Sequence, residues 1–147
     1  MNGAYLHLLV NHLPVLGAFF GLGLAAYGLA RSQPSVIRAA LGVFVIVAVG
    51  AWAANWTGEK AEHVLEEAVP TVSEAEIHEH EEMAEKAAWT AFALGALALV
   101  TLGMAWGGKE LRRPLVLGTV ALSVAVSGLM GYTAKLGGKI RHHTEID

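Results

Sequence analysis

Between Lys86 and Lys109 the chain reads AAWTAFALGALALVTLGMAWGG (residues 87–108), without one ionisable side chain. A helix rising about 1.5 Å per residue crosses the roughly 30 Å hydrocarbon core of a bilayer in such a stretch. Three more uncharged runs flank it: Leu13 to Ala30, Ala39 to Gly58, and Pro114 to Ala134. Each is close to the roughly 20 residues one crossing needs. The expected fold is all-α, an integral-membrane four-helix bundle in a single domain over residues 1–147. The predicted spans are residues 5–31, 36–58, 87–107 and 113–135, with a short extramembrane helical hairpin over residues 59–86 between the second and third. No basic region precedes the first run, so it reads as a retained helix rather than a cleaved leader.

Composition agrees with a bilayer and narrows the chemistry. Of 147 residues 54% are hydrophobic and 17 are glycine, unlike an ordinary soluble domain. Cysteine is absent, which excludes disulfides, thiolate-held iron–sulfur clusters and covalently attached c-type haem. The net charge of −3 conceals segregation, because ten of the thirteen acidic residues are glutamates between Glu59 and Glu85. No basic stripe exists for nucleic acid. Intramembrane Asp, Glu, Lys and Arg are also missing, which disfavours a proton pump or ion-coupled transporter. Nor is there a phosphate loop, nucleotide fingerprint or Ser-His-Asp grouping, so the chain reads as an electron carrier or subunit more than as a stand-alone enzyme.

Four crossings put both termini and the Glu59–Lys86 segment on one side, and two short connections on the other. Those connections carry Arg31, Arg38, Lys109, Arg112 and Arg113. Basic short loops stay in the cytoplasm, so the long segment and both termini are expected on the periplasmic side. Trp52, Trp56, Trp89, Tyr5 and Tyr132 gather toward that side, and Tyr27 and Trp106 toward the other, as interfacial aromatic belts do. Within the long segment, Pro70-Thr71-Val72-Ser73 interrupts, and Ser73 with Glu76 forms a capping box for a helix beginning near Glu74. The second span is expected to run on through His63 to about Ala68. The glutamates then form a solvated face held by pairs such as Glu82–Lys86.

All seven histidines lie at this same end: His7 and His12, then His63, His78 and His80, then His142 and His143. Neutral imidazole is the commonest metal ligand, and histidine near hydrocarbon is costly unless compensated. Helical periodicity sorts them. His7 shares a stripe with Val10, Pro14, Gly17, Gly21 and Gly28, small residues suited to facing a neighbouring helix. His80 aligns with Ala84, Ala87, Ala91, Gly95 and Ala98, whereas His78 falls on a polar edge with Glu81, Glu82 and Glu85. His12 stands beside Pro14, whose missing N–H frees the Val10 carbonyl and kinks the helix, opening room for a ligand. Gly137-Gly138 interrupts the last helix before His142 and His143.

Haem b, one or two groups, is the leading expectation, because bis-histidine ligation between helices of a bundle needs no cysteine. Its ligands would be His7, His12, His80 and His142, with His63 and His143 as lesser candidates. Lys139 and Arg141, with Lys135, are placed to meet haem propionates. Direct binding of Zn, Cu or Fe by the same histidines is the alternative, although no Glu-x-x-His or His-Glu-x-x-His spacing accompanies them. A cofactor-free structural subunit is the third reading. With every ligand at one depth, an electron path would stay near the periplasmic leaflet, between a quinol and a periplasmic or membrane redox partner. The lipid bilayer is the certain environment of this reading, and assembly as a homo- or hetero-oligomer is compatible with it.

The string His7-Leu-Leu-Val-Asn-His12-Leu-Pro14, Thr57-Gly58 after the second span, His80 opening the third, and Gly137-Gly138-Lys-Ile-Arg-His142 after the fourth resemble a widespread group of small bacterial four-helix membrane proteins. That group is commonly labelled a domain of unknown function. The resemblance covers most of the chain and implies a bacterial inner-membrane protein in which His7, His12, His80 and His142 matter most. In general architecture the chain is also similar to di-haem b-type cytochromes. Those usually hold ligands at both membrane depths, and this chain holds them at one.

Overall fold

In a computed structural model, residues 3–68 and 74–141 are described, with side chains for 5–58 and 74–140. Every element among them is helical: α1 (Gly3–Val10), α2 (His12–Ala30), α3 (Pro34–Ala68), α4 (Glu74–Met104) and α5 (Arg113–Arg141), plus a 3₁₀ turn at Trp106–Gly108. Four stretches are long and apolar enough to cross a membrane, Tyr5–Ala30, Pro34–Gly58, Glu74–Met104 and Arg113–Ile140. The first of these joins α1 and α2. Among the described residues α3 extends to Ala68 and α4 begins at Glu74. Pro70 to Ser73, His63 as a side chain, Arg141 as a side chain, His142 and His143 lie outside the described residues.

Neighbours in sequence pack side by side, α2 on α3, α3 on α4, α4 on α5, and α5 closes the ring on α2, while α1 leans on α3. Close approach depends on small residues. A Cβ at Gly21 of α2 would stand 2.6 Å from Phe44 Cε1, and one at Gly95 of α4 would stand 2.5 Å from Ala48 Cβ. Phe44, Leu41 and Val47 of α3 therefore fill the centre with Leu94 and Val126, all fully buried. Large apolar side chains such as Leu16, Phe20, Val49, Val100 and Val124 point outward. So much exposed apolar surface on every helix suits lipid, not water.

Three of the buried hydroxyls satisfy themselves locally. Thr101 Oγ1 donates to Leu97 O at 2.7 Å, Thr119 Oγ1 to Leu115 O at 2.8 Å, and Ser123 Oγ to Val120 O at 2.8 Å. The turns are just as local. After α2, Gln33 N–H donates to Gly28 O at 2.8 Å and Ser32 N–H to Leu29 O at 3.2 Å, the paired bonds of a Schellman stop, with Ser32 left-handed at φ 50°. Pro34 then opens α3, where its missing N–H has no helical partner to lose. At the same end the Arg38 fork donates from Nη1 to Ala105 O (3.1 Å) and from Nη2 to Lys109 O (2.8 Å), satisfying carbonyls left over where α4 stops.

Pro14 breaks the first crossing more gently than a kink implies. Helical bonding lapses at Asn11, between α1 and α2, yet Asn11 keeps helical dihedrals (φ −63°, ψ −24°) and its N–H still reaches His7 O at 2.9 Å. The proline ring itself is buried against Gly50 of α3.

Candidate functional site

Helical register delivers two imidazoles to one end of the bundle from opposite partners. His7 leaves α1 toward α3, where Nδ1 lies 3.1 Å from Ala54 O and 3.3 Å from Thr57 Oγ1. A carbonyl only accepts, so Nδ1 carries the proton and donates to Ala54 O. Thr57 in turn donates its hydroxyl to Ala53 O at 2.8 Å, which presents an oxygen lone pair to the His7 ring. The tautomer is thereby fixed, and Nε2 keeps its lone pair. Gly58 makes the fit possible, since a Cβ there would already touch Cε1 at 3.4 Å.

His80 enters from α4 and lies against α5. A Cβ at Gly137 would meet its Cε1 at 3.1 Å, so glycine is what lets the ring lie flat on the helix. The Thr133 backbone is within hydrogen-bonding reach of the ring, and Nδ1 is buried without a partner among the described residues. His80 and His7 are near enough to interact electrostatically. Tyr132, one residue before Thr133, donates its hydroxyl to Glu79, one residue before His80, at 2.9 Å, pinning α5 to α4 beside the ring. Buried Asn11 Oδ1 and Thr133 Oγ1 also have no partner among the described residues. Orphaned polar atoms in a dry interior are expensive. Ser127 Oγ, deeper on α5, is a fourth such atom, so three of the four lie toward the histidine end.

The remaining candidates are elsewhere. His78 is exposed, as its polar edge predicts, while His80 turns inward. His12 is exposed on the outer side of α2, its Nδ1 donating to Leu8 O at 2.7 Å, so it does not face the His7–His80 pair. Glu82, four residues from His78, gives its carboxylate to Lys86 at 2.7 Å. Lys135 and Lys139 are exposed at the same end as the histidines. Among the described residues no three His, Asp or Glu side chains come together as a metal-binding group. Sequence reasoning did not single out Asn11, Thr133 or the Tyr132–Glu79 bond. Their roles depend on which helices touch, which periodicity along one helix does not reveal.

Comparison with family models, curated proteins and solved structures finds no match to this chain. The site's own geometry is what a functional reading rests on.

Proposed function

We propose that the chain is a membrane-bound b-type haem protein of the bacterial inner membrane, an electron carrier or a subunit of a respiratory assembly. One haem is held between His7 and His80 at the periplasmic face. The observation that carries this reading is the pairing of two inward imidazoles from α1 and α4, each with a ring nitrogen that has no partner among the described residues. Two histidines are a complete axial set for haem iron, whereas tetrahedral zinc takes three or four protein ligands. A directly bound ion would need a third ligand that the described residues do not supply.

The orphaned Nδ1 of His80 and the fixed tautomer of His7 fit such a guest. Ala54 O and Thr57 hold the His7 ring and fix its tautomer, the usual job of a carbonyl behind a ligating imidazole. Gly137 and the Tyr132–Glu79 bond hold His80 in place. Haem when bound supplies reversible one-electron exchange at its iron. Lys139 and Lys135 are the cations available for its carboxylates, with Arg141 beside them in sequence. His12 faces away, which favours one haem inside the bundle over two.

An absorption spectrum of the purified protein before and after dithionite tests the reading. A Soret band and a sharpened reduced alpha band are expected, with His80→Ala losing most of the bound haem and His78→Ala keeping it. Absence of both bands from wild type sinks the haem reading, and metal analysis then separates a directly bound ion from a structural subunit. Equal loss from the two variants sinks the ligand assignment.

A further inference from the structure

At the end opposite the histidines, the connection from α4 to α5 carries charge that its own neighbours do not neutralise. Lys109, Arg112 and Arg113 are exposed, and among the described residues none of the three has a carboxylate partner. Glu110 stands among them in sequence, is exposed as well, and forms no ion pair with them. No acidic residue enters the first turn of α5, where the two arginines oppose the helix dipole. The helix itself gains nothing from them.

The same connection is firmly held. Arg38 of α3 clamps the 3₁₀ turn at both ends, Nη1 on Ala105 O at 3.1 Å and Nη2 on Lys109 O at 2.8 Å, and Leu111 packs on the core behind it. Inside the turn Gly107 and Gly108 take left-handed values, φ 71° and 82°. Trp106 projects from it at 82% exposure, more than any other large apolar side chain described, and its indole N–H has no partner among the described residues. An indole at the end of an apolar crossing suits the boundary between acyl chains and headgroups.

An occupant that satisfies both features brings an anion to the guanidinium forks and hydrocarbon to the indole. Arginine grips phosphate through parallel N–H donors, where lysine acts as a point charge. A second copy lying the same way in the membrane does not supply the anion, because ten of the thirteen acidic residues belong to Glu59–Glu85 at the other end. Free phosphate would meet the arginines and leave Trp106 bare.

We propose that this connection binds a phospholipid with a net negative headgroup, its phosphate on Arg112 and Arg113 and the upper part of an acyl chain against Trp106. Lys109 adds attraction for the anionic surface. Such binding rests on the bilayer reading of the four apolar helices and is independent of haem.

Full-length protein in phosphatidylcholine vesicles tests this, with a minor fraction of phosphatidylglycerol or of phosphatidylcholine carrying brominated acyl chains as the quenching probe. The part of the emission lost in Trp106→Phe belongs to Trp106. Brominated phosphatidylglycerol should quench that part at an about tenfold lower mole fraction than brominated phosphatidylcholine, the worth of one charge-assisted hydrogen bond. Arg112→Lys combined with Arg113→Lys keeps the charge that sets insertion, and the preference should fall to about threefold as the forks are lost. Excess inorganic phosphate should leave the quenching unchanged. Equal quenching by the two lipids overturns the proposal and leaves the arginines to orientation alone. A preference kept in full by the lysine variant gives them to diffuse surface charge, and relief by phosphate gives them to a soluble anion; either overturns it too. Protein that does not float with the vesicles also overturns it, by sinking the bilayer reading beneath it.

Discussion

Ser32 sits in the left-handed region at φ 50° because the Schellman stop after α2 needs that conformation. A side chain there costs roughly 1–2 kcal/mol, part of which glycine would return as chain entropy. Ser32→Gly should therefore raise stability by up to about 1 kcal/mol, measured as a shift in the unfolding midpoint in mild detergent. No change or a loss would mean that the Ser32 hydroxyl contributes more than the backbone strain. The two inward histidines differ in the same local way. A Cβ at Gly58 would make ordinary contact with His7 at 3.4 Å, but one at Gly137 would press on His80 at 3.1 Å. Gly137→Ala should push the His80 ring aside and lower haem per protein several-fold in the absorbance ratio, while Gly58→Ala leaves it near wild type. The inward turn of His7 and His80 was legible in sequence because each shares a stripe with small residues. What each ring rests on was not, because Ala54 and Thr57 are some fifty residues from His7 and meet it only when α1 leans on α3.

Among whole helices, packing in lipid works through backbone proximity rather than hydrophobic drive. Gly95 shows the limit: its missing Cβ would stand 2.5 Å from Ala48 Cβ, and neither atom has a torsion that lets it retreat. Gly95→Ala should force α3 and α4 apart and destabilise by about 1–3 kcal/mol, the usual range for overpacking. Gly103, eight residues on, meets nothing within 4 Å. Gly103→Ala should be neutral or slightly stabilising through helix propensity. Reversible unfolding in mixed micelles against an added anionic detergent reads both, and equal effects would show that the α3–α4 contact is not held as tightly as the structure has it. The sequence marked Gly95 as part of a small-residue stripe on the His80 face. It did not identify Ala48 as the opposing residue, because spacing along one helix says which face is narrow and not which neighbour it meets. Pro14 shows a local signal whose setting is tertiary: helical bonding lapses at Asn11, before the proline, and the buried ring packs on Gly50 of α3.

For the molecule as a whole, the four apolar runs announced the bundle plainly, since charge is excluded from crossings and collects where they end. The sidedness proposed for the chain rests on the basic residues of the two short connections, to which the coordinates add one contact. Arg38 is tied to Ala105 O and Lys109 O, so its charge is anchored at the level of the short loops rather than free to reach elsewhere. Arg31, Lys109, Arg112 and Arg113 belong to the same two short connections, and basic short loops are what the positive-inside rule weighs most. The chain contains no cysteine, so single thiols report sidedness without a background. Glu74→Cys, exposed at the start of α4, should react with a membrane-impermeant maleimide added to intact spheroplasts. Ser35→Cys, exposed at the start of α3, alters no charge and should react only after the membrane is opened. The reverse pattern would put the histidine end in the cytoplasm, and the redox partner of the proposed haem would then have to be sought there.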